Sequence, residues 1–347
     1  MELTTVWFAL IAILWIGYFV LEGFDFGVGM LLPILPKDEK ERRVLYNTIG
    51  PTWDGNEVWV LVAGGATFAA FPEWYATLFS GFYLALLLIL VALIVRNLAF
   101  DYRGKRDDDT WRSRWDMAAI FGSYVPALLW GVAFANIVAG VPIDEHKEFT
   151  GNLLTLLNPY GLLGGLVTLS LFLTHGAMFL ALKTDGDIRH RARSLAVRLG
   201  LVAAVIAVVF IVWTLAKYDW EIMPLLFFAV AAVALLAAIG MAARGSEGWA
   251  FIGTAVTIAC AVAGLFWALF PAVMPSSTDP AFSLMASHNP AVGVSAAATQ
   301  YTLKVMTWVA VVFTPIVLIY QAWTYWIFRK RISTHHIPDP VGDTVQA

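Results

Sequence analysis

Nine long apolar stretches follow one another along the chain, at about 5–35, 48–70, 74–100, 114–142, 158–182, 192–216, 222–243, 249–271 and 302–328. A helix rises ~1.5 Å per residue, so ~20 such residues cross the hydrocarbon of a bilayer. Segments such as Leu84–Val95 and Leu199–Val212 are continuously apolar. They lack the alternation of a lipid-facing β-barrel. The pattern predicts an all-α polytopic membrane protein with nine transmembrane helices. The first, fourth and ninth stretches exceed the required length, so those helices are expected to tilt, break or extend past the bilayer. The first Lys or Arg is Lys37, and the apolar run before it is too long for a cleavable leader, so the first helix is expected to stay in the chain.

Polar positions fix the expected orientation. With the N-terminus outside, 19 of the 22 Lys and Arg fall in inside segments, leaving Lys147, Lys217 and Lys304 outside. That assignment counts Arg96 with the loop that follows it. The C-terminus is then cytoplasmic. Trp74, Trp213, Trp220, Trp249, Trp323 and Trp326 lie near span ends, where interfacial aromatics anchor helices. The 101–113 loop, charged with both signs, reads as a solvated connector. The longest loop, 272–301, has no Lys or Arg and is expected outside the cytoplasm.

Composition agrees and closes other classes. The chain has 347 residues, 60% hydrophobic and 14% charged, against ~45–50% and ~25% in soluble domains. That apolar content excludes disorder. Cys260 is the only cysteine, which excludes a disulfide-stapled fold. A net charge of -3, with the basic residues split among short loops, argues against a nucleic-acid partner. No soluble domain is expected.

Few ionisable groups remain at membrane depth, where each costs at least ~2.5 kcal/mol. Glu22 and Asp25 lie in the first span, Asp54 and Glu57 in the second, each pair spaced i, i+3 on one helix face. Residues 25 and 54 are expected ~15 Å and ~9 Å from the inner ends of their helices. A packed hairpin would gather four carboxylates in the cytoplasmic half of the membrane. Four ionised carboxylates cannot coexist in low dielectric, so at least one should hold a proton near neutral pH. Such a set suits a proton-uptake path from the cytoplasm, with Asp54 and Glu57 as relay groups. A structural role stands beside that one, with the carboxylates accepting from Trp53, Asn56 or Trp59, or pairing with Arg96. Gly23, Gly27 and Gly29 in the first span, and Gly50, Gly55, Gly64 and Gly65 around the second, allow close helix approach. Pro51 is placed in the first turn of the second span.

His146, His190, His288, His335 and His336 fall in loops or the tail; His175 alone lies within a span. It reads as a hydrogen-bonded structural group, since nothing marks a second axial ligand for a haem. No metal-binding or nucleotide-binding motif is present; GFDFGVG sits mid-span with no strand before it. A faint echo of LEGFDFG (21–27) in THGAMF (174–179) would make helices 1–4 and 5–8 parallel repeats, with the ninth left over.

LEGFDFGVGML (21–31) and GPTWDGNEVW (50–59) resemble the signature stretches of subunit II of cytochrome bd quinol oxidase. FDYRGK (100–105), GSYVPALLWGVAFAN (122–136), NPYGLLGG (158–165), HGAMFLALKT (175–184) and YTLKVMT (301–307) extend the resemblance over nearly the whole chain. The resemblance implies a terminal oxidase of the bacterial plasma membrane that oxidises quinol and reduces O2 to water. It also implies nine helices as two four-helix bundles plus one: 1–142, 158–271 and the helix 302–328, with an outside loop 272–301 and a cytoplasmic tail 329–347. Haems b and d, and quinol oxidation, would belong to a partner subunit I, and this chain would bind no haem. Small single-helix accessory subunits fit the same pattern, as does a quinone held as a structural lipid, for which no residues are assigned. The family's proton path maps onto Asp54. A proton-coupled secondary transporter is the alternative; against it, the acids gather in the first two spans and helices 6–8 are nearly free of ionisable groups. A scaffold with no proton role is a third.

Overall fold

The computed structural model describes residues 2–287 and 294–338. His288 and the tail from 339 onward lie outside the described residues. Among the described residues twelve α-helices form in order: α1 (Leu3–Leu31), α2 (Glu39–Ile49), α3 (Trp53–Ala70), α4 (Pro72–Gly81), α5 (Tyr83–Tyr102), α6 (Asp109–Ala139), α7 (Leu153–Leu156), α8 (Pro159–Lys183), α9 (Asp187–Lys217), α10 (Ile222–Ala243), α11 (Glu247–Leu269) and α12 (Gln300–Ile327). Among the described residues, eight helices are long and apolar enough to cross a membrane: α1, α5, α6 and α8 to α12. Polar side chains start several of them. Asp108 accepts from the Thr110 and Trp111 amides ahead of α6, and Asn158 from the Gly161 amide ahead of α8, where Pro159 takes the first helical position.

The apolar stretch expected over 48–70 is not one helix. α2 ends at Ile49, residues 50–52 turn, and α3 begins at Trp53. Pro51 therefore lies in the link, not in a first turn; lacking an N–H, it cannot continue the α2 ladder. α2 is also too polar to be part of a span, with Asp38 capping its first turn. The stretch expected over 74–100 is likewise interrupted, at Phe82 between α4 and α5.

α1 is the central helix, packed against α3, α6, α8, α11 and α12. Its closest crossing is with α8. A Cβ on Gly27 would lie 2.7 Å from the Gly176 Cα, and one on Gly176 would strike the Gly27 backbone. The two stretches that echo each other in sequence thus touch in the fold. Where lipid surrounds a bundle, such close backbone approach replaces hydrophobic drive as the source of cohesion.

Chain ends and links sort to two sides. On one, the backbone after α12 runs beside the end of α8: Ile332 donates to the Lys183 carbonyl (2.8 Å) and Asp185 donates to the Ile332 carbonyl (3.1 Å). The Lys183 ammonium reaches the carbonyls of Phe328 and Lys330. On the other side, the expected 272–301 loop contains a small sheet, β1 (Ala272–Met274) antiparallel to β2 (Leu284–Met285), which pairs in parallel with β3 (Val294–Ser295). It is fastened below α6, where Val141 donates to the Pro275 carbonyl (3.0 Å).

The 101–113 connector is solvated over most of its length, as expected, with Arg103 as its one buried residue. Arg103 is buried and forms a two-sided clasp, with Nε donating to Asp116 (2.6 Å) and both Nη atoms to Glu39 (2.9 and 2.8 Å). Tyr46 donates to the same Asp116 (2.8 Å). Burial and that carboxylate push the Tyr46 phenol above its usual value, so it remains a donor. Arg103 thus joins the first residue of α2 to the second turn of α6.

Candidate functional site

Arg96 organises the polar interior. It is placed in α5 and is fully buried, so it does not belong with the loop cations that report topology. Its side chain packs where α6 presents Gly122, whose missing side chain leaves room for it; a Cβ there would collide with that of Arg96. The guanidinium pairs with Glu22 of α1, both side chains fully buried, and lies 3.5 Å from Glu57 of α3. It also sits over the rings of Phe26 (4.8 Å) and Phe100 (5.2 Å). Glu57 accepts from Asn97 Nδ2 (2.9 Å), and Asp25 accepts from Asn56 Nδ2 (2.7 Å).

Glu22 and Glu57 therefore share one guanidinium, and Asp25, a third of the four expected carboxylates, lies one turn from Glu22 on α1 and is held by Asn56. One positive charge cannot neutralise three ionised acids in low dielectric. Glu22 Oε2, Asp25 Oδ1, Glu57 Oε2, Asn97 Oδ1, and Arg96 Nε and Nη2 are buried and make no hydrogen bond to the described residues. The site thus holds acceptors and donors side by side, able to take further protons or polar contacts.

Asp54 is not among the three. It occupies the first turn of α3 and is exposed. The expected depth assumed a helix running from residue 48; because α3 starts at Trp53, Asp54 sits at a helix N-terminus, where a carboxylate is favoured. It lines an open groove of about 590 Å³ between α3, α4 and α5. Asp54, Glu57 and Asn97 form the polar end, and Leu61, Phe68 and Tyr83 part of the apolar length. Glu57 belongs both to the groove and to the Arg96 cluster.

The proposed carboxylate donors divide. Asn56 does donate to Asp25. Trp53 instead packs on Phe100 (ring centres 5.0 Å apart), and the Trp59 indole donates to Gln321 Oε1 (2.9 Å). Asn97, Gln321 and Tyr325 were not anticipated. The last two stand i, i+4 on α12, a polar pair in a mostly apolar helix. Tyr325 donates to Asn56 Oδ1 (2.7 Å), and Gln321 Nε2 lies 3.4 Å from the same oxygen.

His175 is fully buried on α8. Its Nδ1 meets Thr254 Oγ1 (2.7 Å), its Nε2 meets the Val20 carbonyl (3.1 Å), and its ring stacks on Phe251. With both nitrogens engaged, it does not fit an axial haem ligand. Among the described residues no group of three or more His, Cys, Asp and Glu is arranged to hold a metal.

Comparison with known proteins follows the same line. The family described as cytochrome bd terminal oxidase subunit II matches residues 3–328. The chain is 39% identical to "Cytochrome bd-I ubiquinol oxidase subunit 2" of Escherichia coli (strain K12), covering 96% of each chain. It is 40% identical to "Cytochrome bd ubiquinol oxidase subunit 2" of Bacillus subtilis (strain 168), covering 96% of this chain and 97% of the relative. In fold it is similar to a chain of the bd oxidase from Geobacillus thermodenitrificans, with a TM-score of 0.73, 15% identity, and coverage of 95% of this chain and 100% of that one. The chain belongs to the cytochrome bd terminal oxidase subunit II family, and is a multi-pass bacterial membrane subunit of an oxidoreductase complex.

Proposed function

We propose that this subunit supports assembly of a bd-type quinol oxidase and supplies it with protons from the cytoplasm. Asp54 stands at the entrance, Glu57 is the link, and Glu22 and Asp25 around Arg96 form the inner store. The observation that carries this is the position of Glu57, which lines the open groove beside Asp54 and lies 3.5 Å from the guanidinium that pairs with Glu22. A carboxylate shared between an open groove whose polar end holds Asp54 and a buried, acid-rich cluster is the arrangement a relay needs.

The relatives are named as second subunits of ubiquinol oxidases, so the partner is a subunit I that carries haems b and d and oxidises quinol. Small single-helix subunits and a structural quinone are further components of the same assembly. In the membrane, α3 joins the eight longer apolar helices to make nine crossings. α1, α3, α5 and α6 form one four-helix bundle, α8 to α11 the other, and α12 stands outside both. The N-terminus faces outward. The side bearing α2, the Arg103 clasp and the tail is cytoplasmic, which accords with its richness in Lys and Arg.

The test is Asp54→Asn in the assembled oxidase. Quinol-driven O2 consumption should fall while haem absorption is retained. Unchanged turnover would leave the subunit a scaffold.

A further inference from the structure

We infer that α12 sets the direction of hydrogen bonding at Asp25: Gln321 and Tyr325 are positioning residues that hold Asn56 with its amide N–H toward the carboxylate. The effect on turnover rests on the proton-uptake role proposed above; the hydrogen-bond direction does not.

The direction follows from chemistry at both ends of the chain. The Trp59 indole can only donate, and it donates to Gln321 Oε1 (2.9 Å). That leaves Gln321 Nε2 facing Asn56 Oδ1 (3.4 Å). Tyr325 supplies a second, shorter donor to the same oxygen (2.7 Å). At the far side, Asn56 Nδ2 meets two acceptors, Asp25 Oδ2 (2.7 Å) and the Leu21 carbonyl (3.4 Å). A carbonyl oxygen cannot donate, so Leu21 independently requires nitrogen on this side. Turning the Asn56 amide over would set its oxygen against both acceptors and its nitrogen against the Gln321 amide nitrogen, while the Tyr325 hydroxyl, able to donate or accept, would have to give up its donor role. Only a protonated Asp25 could bond to the amide in that orientation. The observed orientation is the one that an ionised Asp25 accepts.

α12 is well placed for this. Most of its length is exposed, with Leu303 its one buried residue. Its last turn, which carries Tyr325, is followed at once by the tail bonded to Lys183 and Thr184 of α8. A peripheral helix fastened at this end thus delivers two polar groups to an interior acid. With Asn56 held as a donor, Asp25 can lose and regain a proton without a rearrangement of its neighbour.

The test uses the assembled oxidase with Tyr325→Phe, Gln321→Leu and both together. Tyr325→Phe keeps the ring and removes only the donor. The infrared carboxyl C=O band that disappears in Asp25→Asn should shift in frequency in these variants, and the pH profile of turnover should be displaced. Turnover should fall about threefold to tenfold, the worth of one hydrogen bond, with haem content as in the parent. Trp59→Phe, which frees Gln321 to turn, should move the band in the same sense. A band and a pH profile identical to the parent in the double variant would overturn the inference. If Asp54→Asn and Asp25→Asn themselves leave turnover unchanged, the proton-uptake role fails, while the band shift still decides the hydrogen-bond direction.

Discussion

Arg96 and Glu22 form an ion pair in which neither side chain has any exposed surface. Removing one member of such a pair strands the other charge, at a cost of about 3–5 kcal/mol. Arg96→Gln should therefore reduce the yield of assembled oxidase and lower its thermal midpoint. Arg96→Gln combined with Glu22→Gln should recover much of that loss, since no uncompensated charge remains at that pair. A midpoint equal to the parent in the single variant would contradict the pairing.

The crossing of α1 and α8 at Gly27 and Gly176 leaves no room for a side chain on either helix. Gly27→Leu or Gly176→Leu must separate the helices, and overpacking of this kind costs about 1–3 kcal/mol or more. Both variants should lose assembled complex, read as haem absorption per unit of membrane protein. Gly55→Ala, at a position with open space around it, should be tolerated.

Arg103, clasped between Asp116 and Glu39, ties the 101–113 connector to α2 and α6. Asp116→Asn leaves Arg103 with a weakened partner and should lower the thermal midpoint. The lost carboxylate should also bring the Tyr46 phenol back toward its ordinary value, since that carboxylate is one cause of its rise. Ultraviolet titration of the tyrosinate band, compared between Asp116→Asn and its Tyr46→Phe double variant, isolates that group.

The topology has its own test. A single cysteine at Ser277, in a Cys260→Ser background, should react with an impermeant maleimide from the periplasmic face of sealed vesicles. Labelling only from the cytoplasmic face would invert the orientation.

Much of this was legible in the sequence, for physical reasons. Continuous apolar runs can only be buried in lipid or a large core, so the long helices announce themselves. Glu22 and Asp25, spaced i, i+3 within the first apolar run, announce depth because charge there is costly. What composition hides is where a helix stops. Pro51 breaks the second apolar stretch into α2 and α3, and that break moves Asp54 from the interior to a helix start beside an open groove. Arg96 is masked by sitting about two turns before Arg103 and the basic loop, although its neighbour Asn97 marks a second polar group on the same span. Gln321 and Tyr325 are visible as a polar pair on α12. Their target, Asn56, is more than 260 positions away, and no local pattern predicts that contact.

Proton uptake by the fully reduced, assembled oxidase after mixing with O2, followed with a pH-sensitive dye, tests most directly whether Glu57 links the groove to the buried acids. Glu57→Gln should slow uptake with haem content and initial O2 binding as in the parent. Uptake at the parent rate in Glu57→Gln would contradict a path through this subunit.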